Sequence, residues 1–176
     1  KHWRTHKMSQ TQVERLFIAD KTTLVADTFR LTTGLSTSDA DLTANLEQAD
    51  SPTAGHLGTA MSQSSGVFTF PSTGIYLITF HVCAYRDGDT RYVGGQIYGT
   101  ANNASSWDSL ALNYGSIESI GATSTYTHFS MSNLFDCVDT STHKVKFYVN
   151  SAATVTFNGD SNRNSTSMIF QKVGDT

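Results

Sequence analysis

Apolar side chains recur at every second position through the middle of the chain. Between residues 76 and 82 the even-numbered positions are all large and apolar, namely Tyr76, Ile78, Phe80 and Val82. A period of two places them on one face of a β-strand, because successive strand side chains point to opposite sides. The opposite face carries Leu77, Thr79, His81 and Cys83 and is also fairly apolar, so the pattern predicts a strand buried between two sheets.

Shorter stretches of the same kind follow this strand and are separated by turn residues. They cover residues 90–98, 109–112, 123–134, 144–150, 154–157 and 167–173. The dipeptide Asp87-Gly88 is a strong hairpin signal and predicts that residues 90–98 return beside residues 76–83. The Asn-Gly-Asp sequence at 158–160 predicts another tight turn. Strands at near-regular spacing, without a long amphipathic helix between them, indicate an all-β sandwich and exclude a doubly wound α/β fold.

The first 40 residues differ from the rest because they are polar, with only short apolar islands. Thr11 and Glu14 fit a capping box, which favours a short helix over residues 12–19. For the later islands an extended conformation is nearly as well supported. Such a segment cannot bury its own apolar residues. We therefore expect residues 1–40 to form an N-terminal attachment arm and residues 41–176 to form the folded domain.

Residues 66–80 resemble the aromatic signature of the globular-head family of complement C-one-q. The family pattern runs Gly-x-Phe-Thr-x-Pro-x-x-Gly-x-Tyr-x-Phe-x-Phe, and its matches in this chain are Gly66, Phe68, Thr69, Pro71, Gly74, Tyr76 and Phe80. Ile78 stands where the family usually has Phe. The resemblance covers about residues 42–173, and residues 42–46 look like the family's first strand. A bend at Pro71 and Gly74 would lead into the strand, whose alternate aromatics would project into the core.

This resemblance implies a fold, an assembly and a mode of action. The family has the jelly-roll fold that it shares with tumour necrosis factor, forms homotrimers and acts by binding, without enzymatic activity. Animal members often carry collagen stalks, but this chain has no Gly-X-Y repeat. Its N-terminal arm and its Ser-, Thr- and Asn-rich body instead look like virion proteins of tailed phages, in which jelly-roll trimers decorate capsids or form the tips of tail fibres.

Two functional hypotheses follow. The first is a virion structural protein, a homotrimeric jelly roll bound through residues 1–40 to a capsid or tail protein, with loops that contact a host-surface glycan. The second is a secreted, extracellular recognition module that binds glycan or protein ligands through its loops.

Charge is distributed unevenly along the chain. Lys1, Arg4 and Lys7 are basic and have no acidic neighbour, whereas nine basic and all 15 acidic residues lie in 8–176. The basic terminus is either a solvated end or a small anion-binding arm. Because the body lacks the clustered Lys and Arg that hold phosphate backbones, we do not expect a nucleic-acid partner. No apolar run approaches the roughly 18 residues of a membrane span.

Motifs for catalysis are missing from the sequence, which contains no nucleophile elbow, His-Glu-x-x-His helix or phosphate-binding glycine loop. We therefore expect no enzymatic activity and no cofactor. His81 and Cys83 would share a strand face, as metal ligands or as a packed pair. Cys83 and Cys137 form a disulfide if their strands adjoin, or remain free buried thiols.

The candidate ligand-binding residues lie in two loops, with Asp87 and Asp89 in one and Asn103 and Trp107 in the other. Asp87 and Asp89 are also calcium candidates, although calcium takes six or more oxygen ligands and a plain turn needs none. Aromatic rings beside amide and hydroxyl groups suit stacking on sugars or anchoring a protein. The aromatic residues in question are Tyr92, Tyr98, Trp107 and Tyr114. In the alternative interpretation, Tyr92 and Tyr98 line a trimer axis and Trp107 covers the core edge.

Overall fold

The computed structural model describes residues 24–50, 53–121 and 123–176. These residues form eleven antiparallel strands and no helix. The strands are β1 (Ala26–Leu31), β2 (Thr33–Asp41), β3 (Leu46–Gln48), β4 (Ser62–Ser64), β5 (Val67–Thr69), β6 (Gly74–Arg86), β7 (Thr90–Thr100), β8 (Asp108–Ile117), β9 (Thr125–Cys137), β10 (Lys144–Asp160) and β11 (Ser167–Gly174). The all-β prediction is confirmed.

The strands form two layers of one strongly curled sheet. In the first layer the order is β3-β1-β11-β6-β9, and in the second β5, β10, β7 and β8 lie side by side, with β4 beside β5 and β2 beside β10. The layers join through β10, which pairs with β7 over residues 144–151 and with β6 at residues 156–157. The long strand β10 therefore belongs to both layers.

The aromatic signature forms the centre of the core between the layers. Tyr76, Ile78 and Phe80 are fully buried on one face of β6, as the alternation predicts. The ring of Phe68 lies 5.1 Å from that of Phe29 in the first layer and 5.4 Å from that of Phe147 in the second. These edge-on contacts hold the two layers face to face.

The bend before β6 has the geometry that the Pro-Gly spacing predicts. Gly74 has a φ of +144°, and a Cβ there would lie 2.7 Å from the Gly174 carbonyl oxygen. The Tyr76 hydroxyl group donates a hydrogen bond to the Ser72 carbonyl oxygen at 3.0 Å, which ties the bend to the strand. Gly66 also has a positive φ, +78°, and a Cβ there would lie 2.0 Å from the Leu42 carbonyl oxygen.

The prediction that β6 is buried on both faces is wrong. Its odd-numbered side chains from Ile75 to Tyr85 are only half-buried, because no sheet formed by the described residues covers that face. The predicted hairpin around Asp87-Gly88 is also wrong. β6 pairs with β9 and β11, whereas β7 pairs with β8 and β10, so this turn connects the two layers.

The predicted domain boundary at residue 41 lies too far along the chain. β1 pairs with β11 and β3, and β2 pairs with β10, so residues 26–40 belong to the sheet rather than to an arm. Buried polar contacts fix this region, since Arg30 is almost fully buried and its Nε donates to Glu47 at 2.8 Å. The first strand of the described residues is thus β1, not residues 42–46. The predicted helix at 12–19 lies outside the described residues.

The turn predicted at residues 158–160 does not exist, because these residues continue β10. A Cβ on Gly159 would lie 2.4–2.6 Å from backbone atoms of Thr33. Glycine is therefore required at this position, because the backbone of β2 approaches it closely. The stretches 144–150 and 154–157 are parts of one strand with an irregularity between Asn150 and Val155.

Candidate functional site

The two candidate ligand loops lie at opposite ends of β7. Asp87 and Asp89 precede this strand, and Asn103 and Trp107 follow it. A strand of 11 residues is about 35 Å long. The four candidate residues therefore do not form a single site, and each loop must be considered by itself.

The turn at residues 87–89 is a tight connection between the layers. Gly88 has a φ of +105°, and Asp87 and Asp89 are both exposed to solvent. Within the described ranges, no three His, Cys, Asp or Glu side chains lie close enough together to hold a metal ion. Calcium binding at Asp87 and Asp89 stays a prediction.

The loop at residues 101–107 is organised by Asn102, a residue that the sequence did not single out. Its Oδ1 accepts hydrogen bonds from the Thr100 hydroxyl at 2.7 Å and from the Ser106 amide at 3.0 Å. Asn103 is exposed and has a φ of +54°, and its backbone amide donates to the Thr142 carbonyl oxygen at 3.0 Å. The hydrogen bonds of Asn102 thus fix the loop that leads to Trp107.

The outward side of the second layer carries a group of aromatic rings, which we call the aromatic face. Its members are Tyr92, Tyr98, Trp107, Tyr114 and Tyr148. The Lys146 Nζ lies 5.3 Å from the Tyr98 ring centre and 5.1 Å from the Trp107 ring centre. It also pairs with Asp41 at 2.8 Å, so the cation is fixed between the two rings.

Tyr148 is the member of this face that sequence patterns did not indicate. Its ring lies 6.0 Å from that of Tyr98, edge to face. Burial, followed by the nearby Asp39 carboxylate, raises the pKa of Tyr148 to about 12. The phenol therefore keeps its proton and remains a hydrogen-bond donor at neutral pH.

The outward side of the first layer is different, because apolar residues lie among its polar ones, mainly near the Gly74 end of β6. We call this group the apolar stripe, and its members are Ile75, Leu77, Leu134, Ile169 and Val173. Leu77 and Leu134 are register partners on β6 and β9, and Leu134 is 63% and Val173 56% exposed. A further ring pair, Tyr85 and Tyr126 at 5.0 Å, lies on the same side at the far end of these strands.

The two cysteines are free thiols, with Cys83 near the end of β6 and Cys137 at the end of β9, beside the start of β6. Cys83 faces His128 across the β6–β9 ladder, whereas Cys137 is the register partner of Gly74. Nine residues of strand, about 30 Å, separate these positions, so a disulfide between the two cysteines does not form. Burial raises the pKa of both thiols, that of Cys137 to about 11. His81 and Cys83 do share a face of β6, as predicted.

The part of the chain that the structure describes contains no helix with the length and apolar character of a membrane span.

This architecture, two curled antiparallel layers joined by a strand common to both, is a jelly roll of the tumour necrosis factor type. A structure of Eiger, a tumour necrosis factor from S. frugiperda, is similar to it with a TM-score of 0.63 and 13% sequence identity, over 88% of this chain and 95% of that one. Murine APRIL is similar with a TM-score of 0.53 and 13% identity, over 85% of this chain and 99% of that one.

No family model matches the sequence, and no curated protein matches it closely enough to count as a relative. The structural likeness therefore establishes the fold alone, and only the surfaces of this chain carry information about its function.

Proposed function

We propose that the protein is a non-enzymatic structural protein of a virion, a homotrimeric jelly roll held on a capsid or tail by its N-terminal residues. The observation that carries the assembly is the apolar stripe. Monomeric soluble proteins rarely expose large contiguous apolar patches, and such patches mark interaction sites. Subunits that pack through this side of β6, β9 and β11 would bury the stripe, as in an obligate interface of about 2,000 Å² or more.

A threefold assembly is consistent with the resemblance of residues 66–80 to a trimeric family. A head-to-tail contact closes into a ring when the rotation between subunits is a third of a turn. In this arrangement the aromatic face points away from the interface. Tyr92 and Tyr98 would then remain on the outside of the trimer rather than line its axis.

The attachment role falls to residues 1–23, because β1 begins at Ala26. This segment contains the predicted helix at 12–19 with Leu16, Phe17 and Ile18. Its apolar residues would require a capsid or tail surface as a partner. Support for a virion partner comes from the combination of such a segment with a Ser-, Thr- and Asn-rich jelly roll.

Native mass spectrometry tests the trimer, which has three times the 19.1 kDa mass of the chain. Leu134→Asp should produce monomers, because it places a charge in the apolar stripe. Leu112→Asp is the matched control, since Leu112 is an exposed leucine on the second layer. A wild-type chain that stays monomeric at micromolar concentration would contradict the proposal.

Attachment is tested separately with a chain that lacks residues 1–23. We expect this chain to fold and to form trimers but to be absent from purified particles, in which peptide mass spectrometry should detect the full chain. Failure to detect the full chain in such particles would contradict the virion role and leave the trimer intact.

The aromatic face favours a second candidate function, a secreted recognition module. Its rings are half-buried, with Tyr114 50% exposed, and they lie beside the amide of Gln96 and the carboxylates of Asp39 and Asp41. This combination suits stacking on sugars with hydrogen bonds to their hydroxyl groups. Saturable glycan binding that is lost in Trp107→Ala and kept in Leu57→Ala, at an exposed leucine beside β1, would support this role. Retention of binding in Trp107→Ala would contradict it.

A further inference from the structure

A cavity of about 270 Å³ lies where β2, the end of β6 and β10 meet. We call it the Arg86 pocket. Four hydroxyl-bearing residues line it, together with Tyr85 and Arg86: Ser36, Ser124, Thr154 and Thr156. The strand register explains the meeting, because Thr156 pairs with Tyr85 on one side and with Ser36 on the other.

Arg86 lacks a partner in this pocket. Its Nη1 is buried and makes no hydrogen bond, and none of the ion pairs among the described residues includes it. Arg86 as a whole is half-buried, and the buried donors of a guanidinium, which stays protonated, are normally paired. An unpaired one beside a cavity points to an acceptor that binds there, and the planar fork fits carboxylate and phosphate oxygens.

The residues that line the pocket indicate which class of ligand supplies this acceptor. Hydroxyl groups both donate and accept hydrogen bonds, so they match the hydroxyl groups of a sugar better than the oxygens of a bare anion. Tyr85 adds an aromatic wall, since its ring packs against Tyr126 at 5.0 Å. Asp87 is exposed at the rim, where its carboxylate can accept hydrogen bonds from sugar hydroxyl groups.

The volume limits the size of the ligand. Pockets for drug-sized ligands have about 300–1,000 Å³, and this one is slightly smaller. It suits one sugar ring with its acidic group rather than an extended chain. We propose that the Arg86 pocket binds a single acidic sugar, with Arg86 on the carboxylate or phosphate oxygens and the hydroxyl-bearing residues around the ring. This site is separate from the aromatic face and does not depend on trimer formation.

Isothermal titration of the full chain with glucuronic acid, glucose 6-phosphate and glucose tests the proposal. We expect saturable binding of at least one acidic sugar, and which one binds identifies the oxyanion as carboxylate or phosphate. Glucose should bind at least about tenfold more weakly, a factor that corresponds to about 1.4 kcal/mol. Arg86→Gln should weaken binding of the acidic sugar by a similar factor. Arg163→Gln, the control at an exposed arginine, should leave this affinity unchanged.

Thermal unfolding without ligand separates binding from a structural role. Because Arg86 has no partner to lose, Arg86→Gln should melt at the same temperature as the wild type or above it. A melting temperature lower by more than about 5 °C would show that Arg86 stabilises the fold and would overturn the proposal. Unchanged binding in Arg86→Gln, or failure of both acidic sugars to bind, would also overturn it. Inorganic phosphate is titrated in the same way, and an affinity equal to that of the sugars would overturn the proposal as well.

Discussion

Truncation of Phe80 tests the packing that unites the two layers. Phe80 is fully buried on β6, and its ring centre lies 5.0 Å from that of Phe147 on β10. Its register partners are Met131 on β9 and Met168 on β11, so hydrogen-bonded ladders hold the backbone on both sides. In Phe80→Ala this backbone cannot collapse into the space that the ring leaves.

The expected cost combines the lost burial of the ring with the cavity. For Phe→Ala at a buried site the loss in free energy of unfolding is about 3–5 kcal/mol. In a domain of this size each kcal/mol lowers the melting temperature by roughly 2–4 °C, so we expect a fall of about 6–20 °C. Urea titration followed by circular dichroism measures the loss. Protein concentration is held fixed, because assembly makes stability depend on it.

Leu112→Ala is the control for this experiment. It removes a large apolar side chain that is half exposed on the outside of β8, so it should change stability by no more than about 0.5 kcal/mol. A loss below about 1 kcal/mol in Phe80→Ala would refute the assignment of β6 to the centre of the core. An equal loss in both variants would show that side-chain size, rather than burial between the layers, determines the cost.

Three further predictions concern the bend before β6 and the cysteines. Gly74→Ala should lower the free energy of unfolding by about 1–3 kcal/mol in urea titration, because of the positive φ and the nearby Gly174 carbonyl oxygen; an unchanged value would contradict this strain. Tyr76→Phe should cost about 1–2 kcal/mol in the same assay, since it leaves Ser72 without the hydroxyl donor, and a neutral result would mean that this hydrogen bond contributes nothing. Cys137 should react with a thiol reagent at pH 8 only after unfolding, because burial raises its pKa to about 11. The folded thiol then keeps its proton between its ordinary pKa near 9 and 11, so stability should fall as pH rises through this range, and Cys137→Ser should remove this part of the fall.

The sequence was sufficient to predict the central strand and the fold class, because aromatic alternation is strong where one strand face is completely buried. β1 was not predicted because its alternation of apolar and polar residues is interrupted. Asp27 and Arg30 interrupt its apolar residues, although both are buried and paired in the fold, with Asp27 Oδ2 accepting the Met61 amide at 2.8 Å. A charged residue in a strand carries no signal that it has a buried partner far along the chain.

Two glycines show why turn signals gave mixed results. Gly88 does form a turn, but local sequence does not reveal that the next strand enters the other layer. Gly159 lies within a strand and makes room for the backbone at Thr33. The Arg86 pocket could not be predicted from the sequence for the same reason. It forms where β2 and β10 pass the end of β6, and no local motif encodes that arrangement.

β10 also has a mechanical consequence. Residues 144–151 of β10 are bonded to β7 in one layer, and Thr156 and Phe157 are bonded to β6 in the other, so a single backbone joins the two layers. Separating the layers therefore requires breaking the pairing of β10 with β6, so we expect the two layers to unfold together rather than one after the other.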